Sequence, residues 1–256
     1  MELHFSRVAL SDIQVMVQQH LVALPSAVDS FYEDHILESA HYCILVGNEM
    51  AGFASIHEGS IVTQFSLASP YKRHGQTIYQ RLRKMEEVRA AFVPTCDEFF
   101  LSYALDEYRE LAKQAYFFAV GDSAVDQKVM NTYSLRQAGQ GDVSFIRENS
   151  GDFFDKLEQS VQAEEIYVTY KNGECVGFGA VVKSKFYDDV ASIGMYTIER
   201  FRQAGIGAAT IKLLIQKCRK SNLRAVAGCW YYNHFSKQTL ERAGMYTQTR
   251  LLKIDY

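Results

Sequence analysis

The sequence lacks paired cysteines, paired histidines, a long apolar run and a large net charge, and each absence excludes a class of protein. No Cys-x-x-Cys and no His-x-x-x-His spacing occurs, so neither a disulfide framework nor a metal site is expected. The cysteines are Cys43, Cys96, Cys175, Cys218 and Cys229. No apolar stretch reaches the roughly 18 residues of a membrane-spanning helix, and the first residues show no basic region followed by an apolar run.

Charge and composition indicate an ordinary globular protein. A net charge of -3 gives no electrostatic reason to expect a nucleic acid or an anionic membrane as a partner. The 256 residues, 48% of them hydrophobic and 22% charged, suffice for one large domain or two small ones. With no secretory signal and no disulfide pattern, we expect a cytoplasmic protein whose cysteines are reduced.

One stretch of the second half predicts a strand, a glycine turn and a helix. Residues 190–198 are mostly apolar and contain no proline, which favours a strand. Apolar residues then recur at three- and four-residue spacing from 206 to 218, which favours an amphipathic helix. Gly205 and Gly207 lie at the helix start, where they allow close approach of a ligand to the backbone. Because the first N–H groups of a helix have no internal acceptor, the turn is a candidate anion site, most naturally for phosphate.

The spacing of this turn separates it from two other phosphate-binding loops. A Walker loop ends in Gly-Lys-Ser/Thr, which is absent, and a dinucleotide-binding fingerprint needs a third glycine and a downstream acid. The sequence instead resembles the GCN5-related N-acetyltransferase (GNAT) superfamily, whose signature is Gln or Arg, two residues, Gly, one residue, then Gly or Ala. Arg202, Gly205 and Gly207 fill these positions. A second strand at 224–229 and the segment 233–245 resemble the closing part of the family pattern.

The resemblance implies an acetyl-coenzyme A site in an opening between the strand at 190–198 and its neighbour. The backbone at the end of this strand is expected to hold the pantetheine and acetyl group, with one N–H polarising the thioester carbonyl as in an oxyanion hole. The pyrophosphate is expected on the amides of the glycine turn, and Arg202 adds positive charge. An asparagine and a serine are expected to bond the pantetheine arm. These residues are Tyr196, Thr197, Ile198, Arg202, Gln203, Ala204, Gly205, Ile206, Gly207, Ala208, Asn233 and Ser236.

The transfer also requires an acid that protonates the departing thiolate. Many members of the family use a tyrosine seven residues after the asparagine, and here that position is Leu240. Tyr232, which follows the second strand, is therefore our candidate acid. Tyr196, Tyr231 and water are the alternatives.

The acceptor amine must in turn lose a proton to a base. Glu199, which directly follows the first strand, is our candidate, and Asp188 and Asp189, which precede the strand, are the alternatives. His234 is open as a substrate contact or as a helix-start residue. The aromatic segment Trp230–Tyr232 is open as a stacking surface for the acceptor or as core packing.

The first half of the chain repeats the pattern of the second. Both contain a predicted hairpin followed by a strand, a glycine and a helix. The aligned positions are 41–56 with 166–182, 61–82 with 193–213, 90–96 with 225–229, 111–117 with 240–245, Gly52 with Gly177, Gly75 with Gly205, and Phe100 with Asn233. A period of about 125–133 residues matches one small domain. We therefore expect an α/β (α+β) protein of two tandem GNAT folds, each a mixed, mostly antiparallel sheet flanked by helices.

The two copies differ where chemistry is expected, which divides the chain into a degenerate domain at 1–125 and a catalytic domain at 126–256. Thr77 replaces the final glycine of the signature in the first copy, and its β-branched side chain is expected to crowd a pyrophosphate. Phe100 replaces the asparagine. We expect the first copy to have lost cofactor binding and to form a cleft wall or an interface, with degenerate binding as the weaker alternative. Its first helix is predicted at 12–24, capped by Ser11 or Asp12.

The leading expectation is an acetyl-coenzyme A-dependent N-acetyltransferase that acts on a primary amine of a small molecule or a peptide. The alternative is a tandem GNAT-fold sensor or scaffold that binds coenzyme A esters without catalysis, which Leu240 favours. Transfer of an aminoacyl or larger acyl group ranks last, because we see no basic patch for a carrier tRNA. We expect no nucleic acid, membrane or metal as a partner, and a homodimer remains open.

Overall fold

The computed structural model describes residues 2–85, 88–121 and 127–256, and the chain divides into two units. The first unit comprises Met1–Phe117 together with Lys185–Tyr187 and Gln248–Tyr256. The second comprises Phe118–Ser184 and Asp188–Thr247. The predicted boundary between residues 125 and 126 lies outside the described residues. Within the described residues, no helix has the length and apolar character needed to cross a membrane.

The first unit contains both helices and strands, and most of its strand pairs are antiparallel. The elements are β1 (Leu3–Val8), α1 (Leu10–Ala23), α2 (Ser30–Leu37), β2 (Ala40–Val46), β3 (Glu49–His57), β4 (Ile61–Leu67), α3 (Gly75–Arg83), β5 (Ala90–Pro94), α4 (Glu98–Ala104), β6 (Glu110–Val120) and, from the end of the chain, β12 (Met245–Asp255). The strand order is β1-β2-β3-β4-β5-β12-β6. A 3-10 helix, Ser69–His74, leads into α3.

The first unit takes one of its strands from the far end of the chain. Leu251–Asp255 of β12 pairs antiparallel with Pro94–Ala90 of β5. Leu251 and Ile254 are fully buried, and Leu252 and Ile254 belong to the same apolar core as Ile44, Phe65 and Ile78. Burial of one such side chain contributes about 1.5–3 kcal/mol, so this strand is a large part of the stability of the unit.

Helix α1 begins earlier than the sequence predicts. It starts at Leu10, and neither Ser11 nor Asp12 is its N-cap. Asp12 is instead the third helical residue, and its carboxylate accepts the backbone N–H of Ala9 at 3.0 Å. A carboxylate in the first turn of a helix can accept a backbone N–H at the helix start, as an N-cap side chain does. The sequence pattern therefore misplaces the start of α1. The hairpin of β2 and β3 is found where it was predicted.

After an additional first helix, the second unit repeats the order of elements from β1 to α4. Its elements are α5 (Gln127–Thr132), β7 (Tyr133–Gln137), α6 (Val143–Ser150), α7 (Leu157–Gln162), β8 (Ile166–Lys171), β9 (Glu174–Lys183), β10 (Val190–Thr197), α8 (Ile206–Lys220), β11 (Arg224–Trp230) and α9 (His234–Arg242). The strand order is β6-β11-β10-β9-β8-β7. The predicted strand and helix of the glycine-turn segment are confirmed as β10 and α8. One core of this unit surrounds Ile146, Ile166 and Phe178.

Two glycines occupy the same place in the two units and confirm the internal repeat. Gly52 of β3 pairs with Leu67 of β4, and Gly177 of β9 pairs with Thr197 of β10. A Cβ atom on Gly177 would lie 2.5 Å from the carbonyl oxygen of Tyr196, and one on Gly52 would collide with the carbonyl oxygen of Ser66. Each glycine therefore permits a close approach of the next strand. This register corrects the sequence alignment, because the strand pairing matches Ile61 with Ser192 rather than with Ile193.

The buried Asp29 gives the first unit a testable pH dependence. Its carboxylate accepts the N–H of Tyr32 and caps α2. Burial raises the pKa of Asp29 to about 7, although the Tyr32 N–H opposes the shift. The unfolded chain ionises this carboxyl near pH 4, so between about pH 4 and 7 the native state holds a proton that the unfolded state has lost. This group therefore lowers stability as the pH rises through that window.

Asp29→Asn should remove this dependence while it keeps a good N-cap residue. We expect the variant to match the wild type near pH 4 and to exceed its free energy of unfolding by about 1–4 kcal/mol at pH 8. Urea denaturation of both proteins across that pH range measures the difference in their free energy of unfolding. The other titrating groups contribute equally to both proteins and cancel in this difference. A constant difference across the range would contradict the prediction.

Candidate functional site

The strands β10 and β11 separate part of the way along their length. They pair in parallel over Val190–Ser192 and Arg224–Val226, and the pairing ends there although both strands continue. On its other side β10 remains paired with β9 as far as Thr197. The backbone of β10 beyond Ser192 therefore borders an opening. A methyl group added at Gly194 would meet no atom within 4 Å, so there is space beside this part of the strand.

The turn after β10 leaves the first turn of α8 open. Gly205 has a φ of +77°, a left-handed conformation that glycine adopts without strain, and a Cβ atom there would meet no neighbour within 4 Å. Gln203 also has a positive φ of 64°. Residues 202–205 are exposed, and no side chain caps the helix. The amides of Ile206, Gly207 and Ala208 lack an acceptor within the helix, which suits them to an anion.

Gly207 has a packing role that the sequence does not indicate, and its predicted contact with a ligand stays a prediction. A Cβ atom at this position would lie 3.0 Å from Cγ2 of Thr239 and 3.1 Å from Sδ of Met195. The glycine is therefore needed for close packing of α8 against α9 and β10. Of Gly205 and Gly207, only Gly205 is a glycine because the open turn requires a left-handed φ.

Arg202 joins the turn to the end of β10. Its guanidinium donates to the carbonyl oxygen of Thr197 at 3.4 Å and to the hydroxyl of Tyr196 at 3.3 Å, and lies 5.5 Å from the centre of the Tyr196 ring. The side chain is exposed, so the charge stays accessible at the turn. These contacts hold the guanidinium at the end of β10, and the predicted role of Arg202 beside a phosphate stays a prediction.

Asn233 forms the start of α9. Its Oδ1 accepts the backbone N–H of Ser236 at 3.0 Å, which makes it the N-cap of the helix. The side-chain amide of Asn233 retains its two donor hydrogens, and the residue is exposed. The predicted contacts of Asn233 and Ser236 with a ligand remain predictions, but the cap explains an asparagine here independently of a ligand.

The candidate catalytic side chains differ in exposure. Leu240 is buried in α9, so a side chain at this position faces the interior. Tyr232 is 52% exposed, and its ring lies 5.1 Å from that of Trp230 and 5.2 Å from that of Tyr231. Glu199 is exposed at the start of the 3-10 helix that follows β10. Tyr232 and Glu199 can therefore both reach solvent-borne groups.

One alternative base, Asp189, takes part in an ion pair. The carboxylate of Asp189 accepts hydrogen bonds from Nε and Nη2 of Arg224, at 2.7 and 3.1 Å. These hydrogen bonds lower the pKa of Asp189, which makes it a weaker base. Its place at the beginning of β10, opposite Arg224 at the beginning of β11, indicates a structural ion pair. Within the described residues, no group of three or more potential ligands is placed to hold a metal ion.

The first unit has no open turn before the helix that corresponds to α8. Gly75 is the first residue of α3 and has an ordinary helical φ of -53°, so its counterpart by position is Ile206 and not Gly205. A Cβ atom on Gly75 would lie 2.5 Å from the ring of Tyr103, which therefore lies over the first turn of α3. The Tyr103 hydroxyl donates to the carbonyl oxygen of Lys72 at 3.3 Å. The absence of a side chain on Gly75 therefore gives the Tyr103 ring room to approach the helix.

The alignment of the closing segments also needs correction. Asp97, not Phe100, is the counterpart of Asn233, because its carboxylate accepts the N–H of Phe100 and caps α4 as Asn233 caps α9. The predicted match of 111–117 with 240–245 is wrong, since 111–117 lies within β6 whereas 240–242 ends a helix. Sequence alignment followed the apolar residues and missed that the short helices α4 and α9 correspond.

Sequence reasoning also missed Gly194 and Tyr103. An isolated glycine in the middle of a strand often marks a close backbone approach or a ligand, and this signal could have identified Gly194. Tyr103 had no comparable signal, because its role depends on the tertiary contact with Gly75.

Family models match both parts of the chain. An acetyltransferase (GNAT) domain model matches residues 9–120, and an acetyltransferase (GNAT) family model matches residues 132–245. Together they account for nearly all of the two predicted copies, so the tandem arrangement is confirmed. The comparison with curated proteins gave no match.

Solved structures share the fold over the full length at low sequence identity. A GNAT-family acetyltransferase from Colwellia psychrerythraea has a TM-score of 0.86 at 15% identity, with 100% of both chains covered. A tandem GNAT protein from the clavulanic acid biosynthesis pathway has a TM-score of 0.61 at 13% identity, covering 100% of this chain and 98% of the other. A GCN5-related N-acetyltransferase from Sphaerobacter thermophilus has a TM-score of 0.62 at 11% identity, covering 99% and 95%. At these identities the likeness establishes the fold alone.

Proposed function

Because both halves of this chain belong to the GNAT acetyltransferase family, we propose that its second unit is an acetyl-coenzyme A-dependent N-acetyltransferase for a primary amine of a small molecule or a peptide. The observation that carries the proposal is the contrast between the units. In the second, the turn before α8 is exposed and uncapped beside separated strands. In the first, the 3-10 helix Ser69–His74 runs directly into α3, and no residue from 69 to 75 has a positive φ.

The open turn supports a phosphate-binding role. The amides of 203–208 would hold the pyrophosphate, and the accessible guanidinium of Arg202 would add positive charge. The end of β10 at Tyr196, Thr197 and Ile198 would bond the pantetheine arm through its backbone, and Asn233 would bond it through the two hydrogens that its cap leaves free. Acetyl-coenzyme A would supply the acetyl thioester.

The exposed side chains beside this site support two proton-transfer roles. Glu199 would accept a proton from the acceptor amine as its nitrogen bonds to the acetyl carbon. Tyr232 would donate a proton to the leaving sulfur, so that the products are an amide and a free thiol. An N–H of β10 would stabilise the developing oxyanion, a contribution of about 3 kcal/mol per donor.

Substitution of these two residues tests their roles. We expect Tyr232→Phe and Glu199→Gln each to lower kcat by about 10²-fold, within the usual range for a general acid or base, with little change in KM for acetyl-coenzyme A. Tyr231→Phe, at the neighbouring tyrosine, is the matched control and should retain activity. An unchanged kcat in Tyr232→Phe would assign the acid role to another group.

A melting experiment tests the site without an identified acceptor. Acetyl-coenzyme A and free coenzyme A, at about one hundred times a dissociation constant, should stabilise the protein by roughly 2.7 kcal/mol, which raises Tm by several degrees. ATP should have a much smaller effect, because it lacks the pantetheine arm. A failure of both coenzyme A species to shift Tm would contradict the proposed site.

The second candidate function is a coenzyme A-ester-binding protein without catalysis. Leu240 favours it, because a buried leucine occupies the position of the usual acid. Release of free thiol from acetyl-coenzyme A in the presence of a panel of primary amines separates the two candidates. Amine-dependent release establishes transfer, whereas binding without release by any amine favours the non-catalytic function.

A further inference from the structure

The sheet of the first unit carries a row of buried polar side chains that the proposed function does not use. His41 of β2, Ser55 of β3 and Gln64 of β4 lie directly opposite one another across three neighbouring strands. We call these three residues the polar row. Their exposed fractions are 4%, 0% and 1%, so solvent does not reach them. Polar groups at such depth are nearly always hydrogen-bonded.

The polar row lies on the face of the sheet that α1 and α2 cover. Phe53 and His57 flank Ser55 on the same face of β3, because alternate residues of a strand share a face. The Phe53 ring lies 5.9 Å from that of His20 in α1, and the His57 ring lies 4.4 Å from that of His35 in α2. Phe65, next to Gln64, belongs to the core on the opposite face.

The hydrogen bonds within the polar row are directional. The hydroxyl of Ser55 donates to Oε1 of Gln64 at 3.1 Å, and Nδ1 of His41 lies 2.9 Å from the same hydroxyl oxygen. A hydroxyl has one hydrogen, so Nδ1 of His41 must be the donor in the second bond. Burial lowers the pKa of His41, which keeps the ring neutral and leaves Nε2 with a lone pair.

The two ends of the polar row have no partner within the described residues. Nε2 of His41 and Nε2 of Gln64 are both buried without a hydrogen bond, as is Nδ1 of the flanking His57. An unsatisfied buried polar atom destabilises a fold, so three on one face favour a hydrogen-bonding partner outside the chain. The free groups are an acceptor at His41 and an amide donor at Gln64.

The second unit shows that the fold does not require these polar groups. The same register positions are Ile166, Ala180 and Gly194, none of which has a polar side chain. Gly194 borders the opening between β10 and β11. The polar row therefore occupies register positions of the first unit that correspond to the proposed reaction site in the second. The other face of the same sheet is filled with aromatic side chains.

We propose that the polar row binds small neutral molecules, with a hydrogen-bond donor at Nε2 of His41 and an acceptor at Nε2 of Gln64. This is the chemistry of a hydroxyl or a carboxamide group, and water is its smallest member. A cation would meet the Gln64 amide hydrogens, and an anion would meet the lone pair of His41. Both are therefore disfavoured in a buried neutral site.

Nitrogen-15 NMR of protein labelled at histidine tests the proposal at a pH of about 8.5, where histidine is neutral. His41→Asn assigns the resonance, since asparagine retains an N–H toward Ser55. A hydrogen-bonded Nε2 of His41 should resonate like the unprotonated nitrogen of the exposed His234, which bulk water hydrates. A bare lone pair should resonate well downfield of it.

Titration with acetamide distinguishes the sources of the bound molecule. A saturable shift of the His41 resonance, without a shift of His234, would show that the site accepts a carboxamide. A hydrogen-bonded resonance that acetamide does not move would identify water as the occupant. A resonance at the bare position that stays there throughout the titration would overturn the proposal.

Discussion

Gly205→Asp should weaken coenzyme A binding by at least about a hundredfold, whereas Gly205→Asn should weaken it by less than about tenfold. Both side chains are similar in size, and both residues tolerate the left-handed conformation at φ +77° better than other non-glycine residues. They differ in charge. An aspartate here would accept the open amides of α8 and repel a pyrophosphate, and like charges about 4 Å apart near a protein surface repel by roughly 4 kcal/mol.

Isothermal titration of the two variants with coenzyme A measures this difference. Gly205→Ala completes the set, because it introduces the backbone strain with little bulk and no polar group. Increased salt should narrow the gap between aspartate and asparagine, since the repulsion is partly screened. Equal affinities for the aspartate and asparagine variants would show that the turn does not hold a phosphate group.

Removal of residues 248–256 should unfold the first unit although residues 1–117 remain intact. The truncation deletes the segment of β12 that pairs with β5 and removes the buried side chains of Leu251 and Ile254. Burial of Leu251, Leu252 and Ile254 contributes several kcal/mol, a large share of the roughly 5–15 kcal/mol by which a domain is stable. The backbone groups of β5 would also lose their partner strand.

Amide hydrogen exchange measures the result locally. In the truncated protein, we expect protection of the strands β2, β3 and β4 to fall to the level of an unfolded chain. Lys253→Ala is the matched control, because Lys253 lies in the same strand but is only partly buried. Retained protection of β3 in the truncated protein would mean that the first unit is stable without β12.

The sequence predicted the elements whose signal is local and missed those that depend on contacts between distant residues. The apolar spacing after Gly205 predicted α8, and the two hairpins revealed the repeat. The start of α1 was misplaced because the carboxylate of Asp12, which lies inside the helix, accepts the backbone N–H of Ala9. No local sequence signal shows that residues 251–255 of β12 pair within the first unit. An apolar strand of this kind is compatible with the sheet of either unit.

The candidate site shows the same division. The turn at Gly205 was identified from its spacing, because a left-handed residue before a helix is a local property. Gly207 was assigned to ligand approach, but its contact with Thr239 comes from another helix. The counterpart of Asn233 was missed for a similar reason, as the capping bond of Asp97 appears only in three dimensions.

The origin of β12 also affects how this protein is synthesised. Domains usually fold in order as they leave the ribosome, at about 5–20 residues per second. Here β5 is translated long before Leu251–Asp255, the segment of β12 that pairs with it. The sheet of the first unit would therefore stay incomplete for roughly 10 s. During that interval β5 would present an apolar, unpaired edge to other nascent chains. Chaperone binding to the growing polypeptide should therefore persist until the last strand emerges.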